Sequence, residues 1–283
     1  MTARRSIARH LVPKRRAAAL RELGIFSVAY LVYFGVRAVT EGTAATAMDN
    51  AMDLIRLEQR LGIAWEGAVQ DGIVGSRLLV DAVNAVYMYG HWPVIIVTGV
   101  LLYRHRRGHY YRLRNAFLLT GVIGLAVFTL YPVAPPRLTD LPLVDTVTRN
   151  AEGYRQVLPH GLVNEYAAMP SFHAGWNVLL GIVVFQATRH LVLRALAVAG
   201  PAAMVVAVVA TANHYVIDVV AGVTIVLAGL AALHATDRLR ARRTLVRAHE
   251  HEPHRPVHRR PPGRQRHRAA AGGGSVARPA RRG

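Results

Sequence analysis

Six apolar stretches constrain this chain more than any other feature of its sequence. They cover residues 24–40, 78–103, 115–133, 172–187, 191–212 and 214–235. A helix needs about 20 mostly apolar residues to cross a bilayer, where helices satisfy their own backbone polar groups. We therefore predict an all-α integral membrane protein with six transmembrane helices in a bundle. The first stretch could instead be a signal peptide, but it is long for one and contains Arg37.

The segment between the first two stretches, residues 41–77, is too polar to cross a membrane. Met48, Met52 and Ile55 recur at helical spacing among charged residues, and Gly62 supplies a stop signal. Trp65 follows, and tryptophan is common at the interface between membrane and water. This pattern predicts an amphipathic interfacial helix between the first and second spans.

Lysine and arginine are distributed unevenly between the two sides that six spans would create. One side would carry 28 of these residues and the other 6, and cytoplasmic loops hold the excess in multi-pass proteins. The count therefore predicts a multi-pass protein of the cell membrane with both termini in the cytoplasm. It divides the chain into a basic cytoplasmic N-terminal segment, 1–23, a six-span domain, 24–235, and a basic, disordered cytoplasmic tail, 236–283.

The formal net charge of +19 fits this arrangement better than nucleic-acid binding. Of the 35 basic residues, 14 lie in the final segment from Ala235, which has almost no aromatic residues interleaved with them. We expect no nucleic-acid partner, and we expect the basic tail to contact anionic lipid. Cysteine is absent, which excludes disulfides and thiolate metal sites.

Three polar clusters fall on the outer face of this topology. The first ends in Arg137, after prolines that cannot continue the helix of the third span. The second places Ser171, at an N-cap position, and His173 at the start of the fourth span. The third places His214 four residues before Asp218, so that on one helix face the carboxylate can reach the imidazole. Taken alone this pair could equally be structural. The position of all three clusters on one face of the membrane nevertheless predicts an active site.

These side chains supply what phosphoryl transfer needs. A guanidinium binds phosphate oxygens, and the N-terminus of a helix supplies amide donors to the same group. An imidazole oriented by a carboxylate can attack phosphorus. A second imidazole can protonate the leaving group and then deprotonate the incoming hydroxyl. We therefore expect a reaction without a metal ion or a cofactor.

The clusters resemble the motifs of the type 2 phosphatidic acid phosphatase superfamily of six-span enzymes. The resemblance covers roughly residues 20–235. The family's Pro-Ser-Gly-His motif is matched by Pro170, Ser171, Phe172 and His173, and its His-x-x-x-Asp motif by His214 and Asp218.

The resemblance implies a role for each matching residue. His214 would be the nucleophile, Asp218 its orienter, and His173 the general acid and base. Arg137 and Ser171 would bind the phosphate. The intermediate implied is a phosphohistidine.

Several departures from the family's pattern point to one branch of it. Leu130 and Val208 stand where the family has a lysine and an arginine that bind phosphate, Leu138 replaces a proline, and Phe172 replaces a glycine. The forms Pro-Pro-Arg and His-Tyr-x-x-Asp look more like the inositol-phosphorylceramide synthase branch, whose members move a phosphorylated head group between lipids. This implies a lipid substrate and a polyol acceptor such as inositol, with a simple lipid phosphate phosphatase as the alternative.

Four further residues are candidates for substrate contact: Asn213, Tyr215, His91 and Arg155. The first two could equally be packing groups, and His91 is more simply a histidine bonded to a neighbouring helix. Two other classes of protein stay open. A proton-coupled transporter could use His173, His214 and Asp218 as a relay, and a divalent-metal enzyme could use the same three as ligands.

Overall fold

A computed structural model describes residues 2–39, 43–150 and 165–250. These ranges are helical apart from their connections, and no β-strand occurs within them, so the predicted all-α class is confirmed. A 3₁₀ turn, Pro136–Leu138, follows the helix that ends at Leu130. The helices are α1 (Thr2–Val39), α2 (Ala44–Leu61), α3 (Glu66–Val74), α4 (Arg77–Tyr89), α5 (Trp92–His105), α6 (Arg107–Leu130), α7 (Thr146–Asn150), α8 (Phe172–Ala187), α9 (Leu191–Ala210) and α10 (Val216–Glu250).

Within the described ranges, four helices are long and apolar enough to cross a membrane. The spanning segments are Arg16–Val36 in α1, Arg107–Leu130 in α6, Leu191–Ala210 in α9 and Val216–Thr244 in α10. The pair of α4 and α5 counts as a fifth if the two are one bent span. Helix α8 is apolar but has only 16 residues. The chain is therefore a membrane protein, and its described residues contain four or five candidate spans.

The second predicted span, 78–103, is broken into α4 and α5, which meet at an angle of 48°. Pro93 lies in the first turn of α5. In a continuous helix its ring would clash with the carbonyl of the residue four positions earlier, so the chain breaks and starts a new helix. The break places His91, which is 3% exposed, in the protein interior.

The last helix differs from its predicted bounds at both ends. It begins at Val216, because Ala212 has a φ of 55° and turns the chain before the helix can start. It continues to Glu250, so the predicted disorder from residue 236 is wrong up to that point. Residues 236–250 are rich in arginine, leucine and alanine and contain no glycine or proline, which favours helix. The remainder of the predicted tail, 251–283, lies outside the described residues.

Contacts divide the chain into two units. The first unit is Met1–Arg238, and it contains every residue of the candidate site that the structure describes. The second is Leu239–Gly283, of which the structure describes only the end of α10.

The segment predicted as one interfacial helix forms two, α2 and α3. Helix α2 ends at Gly62, whose φ of 69° is the left-handed conformation expected of a helix stop, as predicted. Of the predicted apolar positions, Ile55 is buried and Met48 packs against the buried face, whereas Met52 is 39% exposed. The buried face packs on the connections around the candidate site and consists of Ala47, Ala51, Leu54, Ile55 and Glu58.

Glycines allow α8 and α10 to cross closely. A Cβ atom on Gly222 would collide with the backbone of Ser171, and one on Gly175 would lie 2.6 Å from the carbonyl oxygen of Gly222. Because both positions lack a side chain, the first turns of the two helices approach each other. These turns carry His173 and Asp218.

Candidate active site

Backbone hydrogen bonds join the three predicted clusters to one another. Residue types alone did not predict these bonds, because they join amides and carbonyls of connecting segments. They run from Arg137 N to Ala212 O at 2.9 Å, from Ser171 N to Asp218 O at 2.9 Å, and from Val133 N to Tyr166 O at 2.9 Å.

His214 lies in the turn that precedes α10, and its side chain is 5% exposed. Its amide donates to the carbonyl of Val208 at 3.1 Å, which ties the turn to the end of α9. Its Nδ1 atom lies 2.8 Å from the carbonyl oxygen of Ala168. A carbonyl can only accept a hydrogen bond, so Nδ1 carries the proton. In the neutral ring Nε2 is then unprotonated and has a free electron pair.

Asp218 is the third residue of α10 and is fully buried. Its Oδ2 atom accepts a hydrogen bond from the amide of Tyr215 at 2.9 Å, the return half of a capping box. The same oxygen lies 3.6 Å from His214 Nδ1, beyond hydrogen-bond length but within ion-pair range. The expectation of one shared helix face was wrong, because His214 precedes the helix, although the two groups are still close.

His173 lies in the first turn of α8 and faces the nucleophile candidate. The ring centroids of His173 and His214 are 5.8 Å apart. The His173 ring also stacks on Tyr87 at 4.7 Å and lies 4.2 Å from His91. His91 Nδ1 is 3.3 Å from Nδ2, the side-chain amide nitrogen, of Asn177 on α8. His91 therefore fits its simpler interpretation, a histidine bonded to a neighbouring helix. Its ring also packs directly on the ring of His173.

Arg137 is fixed beside the turn that carries His214. Its Nη1 atom donates to Asn213 Oδ1 at 2.7 Å, and its Nε atom lies 3.7 Å from Asp145 Oδ2. Asn213 in turn donates to the hydroxyl and the carbonyl of Thr211. Asn213 thus orients a guanidinium that remains partly exposed.

Two candidate contacts do not reach the space between the histidines. Ser171 is fully buried, and its hydroxyl caps α8 by accepting from the amide of Ala174 at 3.4 Å. Tyr215 is fully buried, and its hydroxyl donates to the carbonyl of Ala134 at 3.1 Å. Both side chains are therefore engaged in contacts inside the protein, at places where two of the three clusters meet. Arg155 lies outside the described residues.

Sequence reasoning missed two carboxylates that approach this site, Glu58 on α2 and Glu66 on α3. Their Oε1 atoms accept hydrogen bonds from the first two amides of α10. Burial, together with the neighbouring carboxyl of Glu66, raises the pKa of Glu58 to about 8, although the hydrogen bond from the amide of Ile217 acts in the opposite direction. The signal was available, since Glu58 is in phase with Ala47, Ala51 and Leu54 on one helix face.

The family model of the PAP2 superfamily matches residues 52–232. The chain belongs to the PAP2 superfamily. This is a superfamily of phosphatases and phosphotransferases, so the predicted relationship and the predicted enzyme class are confirmed at this level. No curated protein and no solved structure matches the chain.

The two positions where the usual PAP2 motifs have cations hold apolar residues in different surroundings. Val208 is fully buried in a cluster with Ala174, Met204 and Val209, which leaves no space for a cation. Leu130 is 81% exposed at the end of α6.

Phe172, in place of the motif glycine, is accommodated by a glycine on another helix. A Cβ atom on Gly124 would collide with the Phe172 ring, so this ring occupies the space that a side chain on α6 would take. The ring also stacks on Trp176 at 4.5 Å. The PAP2 fold is therefore kept by a compensating pair of residues on α6 and α8.

Metal ligation was one of the alternatives for these residues. Among the described parts of the chain, no group of three histidine, aspartate or glutamate side chains is arranged to hold a metal ion. The candidate site of this PAP2 protein brings together two facing imidazoles, a buried carboxylate and a guanidinium.

Proposed function

We propose that this protein transfers a phosphorylated lipid head group through a phosphohistidine formed at His214. The observation that carries the proposal is the 2.8 Å hydrogen bond from His214 Nδ1 to the carbonyl of Ala168, which leaves Nε2 as the nucleophilic atom. The acceptor would be a hydroxyl group, such as that of a polyol like inositol.

The first step makes the covalent intermediate. The electron pair of His214 Nε2 forms a bond to phosphorus as the bond from phosphorus to the ester oxygen of the lipid breaks. The leaving oxygen takes a proton from the imidazolium of His173, whose charged form the anionic phosphate stabilises. The imidazole of His214 becomes positively charged, and Asp218, 3.6 Å from its Nδ1 atom, stabilises that charge.

The second step reverses these roles. The hydroxyl of the acceptor gives its proton to His173 as its oxygen attacks phosphorus, and the bond from phosphorus to His214 Nε2 breaks. Water in place of the acceptor would give hydrolysis, the alternative function. The centroid distance of 5.8 Å between the two rings allows one phosphoryl group to contact both.

The small number of cations supports a diester substrate. A phosphodiester carries one negative charge where a monoester approaches two, so fewer cations are needed to bind it. Among the described residues at the site, Arg137 supplies the guanidinium next to the turn of His214, and the family's other two cationic positions hold Leu130 and Val208. This is the basis for preferring the inositolphosphotransferase-like branch.

Labelled short-chain lipids test this proposal. Purified protein in detergent is incubated with dioctanoyl phosphatidic acid and with dioctanoyl phosphatidylinositol, each labelled on phosphorus, with and without inositol or diacylglycerol. A new labelled diester and an acid-labile, base-stable label on the protein would support transfer through phosphohistidine. Release of free phosphate with a strong preference for the monoester would overturn it in favour of a phosphatase.

The proposed orientation places six spans in the membrane, with α2 and α3 at its outer surface and the site facing outward. Helix α8 would be the fourth span, a short one, and the basic tail would contact anionic lipid on the cytoplasmic side. Because the chain has no cysteine, single cysteines report the side of each segment. A membrane-impermeant maleimide should label Trp65→Cys but not His190→Cys in intact cells, and the reverse pattern would contradict this orientation.

A further inference from the structure

Two carboxylates from outside the three motif clusters hold the first turn of α10. Glu66 Oε1 accepts the amide of Val216 at 2.8 Å, and Glu58 Oε1 accepts the amide of Ile217 at 2.7 Å. Their residues are only 5% and 1% exposed. The first amides of a helix have no partner within the helix, so these carboxyl groups satisfy donors that would otherwise be buried and unpaired.

Negative charge is crowded at this point. Glu58 faces the carboxyl of Glu66 from α3, that of Asp218 from α10, and the phenol of Tyr215 from the preceding turn. The neighbouring carboxyl of Glu66 disfavours a second negative charge beside it, which favours a proton on Glu58. With the pKa of Glu58 raised to about 8 by burial and by these neighbours, that proton is present at neutral pH.

The first turn of α10 is also the turn that fixes the catalytic geometry. Asp218 belongs to it, and Tyr215, whose amide Asp218 accepts, directly follows His214. A displacement of this turn would change the distance between the carboxylate and the imidazole. We propose that Glu58 and Glu66 are positioning residues that carry one proton between them and anchor the first turn of α10, so that His214 and Asp218 keep their arrangement. The inference rests on the proposed function only in using turnover as one of its two measurements.

The proton on Glu58 predicts a loss of function and of stability in alkali. A carboxyl whose pKa is higher in the folded than in the unfolded state stabilises the fold fully below the unfolded pKa, and this stabilisation is lost as pH rises through the folded value. For Glu58 the stabilisation is lost between the unfolded pKa of 4.5 and the folded pKa of about 8, and the ionisation of the folded protein, on which function depends, is centred at about pH 8. Ionised Glu58 would repel Glu66 and Asp218 and loosen the turn that both anchors hold.

Glu58→Gln is the informative variant, because an amide accepts from Ile217, donates to Glu66 and does not titrate. For the wild type we expect kcat on dioctanoyl phosphatidic acid or dioctanoyl phosphatidylinositol to fall about tenfold between about pH 7 and about pH 9. In Glu58→Gln this fall should shrink to what deprotonation of His173 contributes, and the decrease in Tm over the same range should shrink with it. Asp53→Asn, at an exposed position of the same helix, is the matched control and should keep the wild-type profile.

Glu58→Leu removes the acceptor as well as the charge. It should lower kcat about tenfold or more at about pH 7 while KM stays within about threefold, because it disturbs the position of catalytic groups more than substrate binding. If this variant does not fold, Glu58→Gln alone decides. The same alkaline fall of kcat and Tm in Glu58→Gln as in the wild type would overturn the inference. A wild type without turnover would contradict the proposed function, and the Tm measurements would still decide the inference.

Discussion

The Nδ1 atom of His214 donates its hydrogen bond to the carbonyl of Ala168, at 2.8 Å, and not to the carboxylate four residues later. The backbone next to the second cluster therefore fixes the tautomer of His214, the proposed nucleophile. Asp218 is left to balance charge on the ring from 3.6 Å. This separation of two functions allows each to be tested by substitution.

His214→Ala should abolish turnover while the protein still folds. Loss of a covalent nucleophile lowers kcat by about a thousandfold or more. The measurements are the rate of substrate loss, the yield of labelled protein and the Tm in detergent. His190→Ala, at an exposed position before α9, should behave as the wild type. Turnover above about a tenth of the wild-type rate in His214→Ala would exclude this residue as the nucleophile.

Asp218→Asn should slow the reaction without unfolding the protein. The amide oxygen of asparagine can still accept from the amide of Tyr215, but the charge facing the His214 ring is lost. We expect kcat to fall about 10- to 100-fold. The Tm should stay close to that of the wild type, because removing a buried charge offsets the changed hydrogen bonding. An unchanged kcat would mean that the Ala168 carbonyl alone is sufficient to prepare the imidazole.

Arg137→Lys should weaken substrate binding. Lysine keeps the charge but cannot present the planar fork that bonds Asn213 and a phosphate together. We expect kcat/KM to fall about 10- to 100-fold, mostly through KM, as measured with dioctanoyl phosphatidylinositol. Arg56→Lys, an exposed residue paired with Asp53 on α2, is the control. Equal kinetics for both variants would show that Arg137 does not contact the phosphate.

Gly124→Ala should destabilise the protein, and Phe172→Gly should relieve the effect. A Cβ atom at Gly124 would collide with the Phe172 ring, which is held in place by Trp176. We expect the single variant to lose about 1–3 kcal/mol of unfolding free energy and the double variant to recover most of it. Thermal unfolding in detergent measures both. Additive effects of the two substitutions would contradict the compensating contact.

The fold class could be predicted from the sequence because membrane helices obey simple rules of length and hydropathy. The stop at Gly62 was equally visible, since few residues other than glycine adopt a left-handed φ at a helix end. The break between α4 and α5 and the start of α10 at Val216 were not predicted. Both depend on local backbone geometry, at Pro93 and Ala212, inside runs that are uniformly apolar.

The identities of the candidate catalytic residues could also be read from the sequence, because phosphoryl transfer needs a small set of side-chain types. Their contacts could not. Ser171 and Tyr215 are fully buried, although their positions beside the motif histidines suggested contact with substrate. Glu58 and Glu66 lie far from His214 in sequence, and no short motif joins them to α10.

The sequence by itself determined that this chain is a helical membrane protein with two histidines, an aspartate and an arginine suited to phosphorus chemistry. It could do so because hydropathy and side-chain chemistry are properties of single residues and short segments. Only the tertiary structure decided which nitrogen of His214 is free, since that depends on the carbonyl of Ala168, 46 residues earlier. Hydrogen bonds between backbone segments distant in sequence leave no mark on residue type, and these bonds set the geometry of the site.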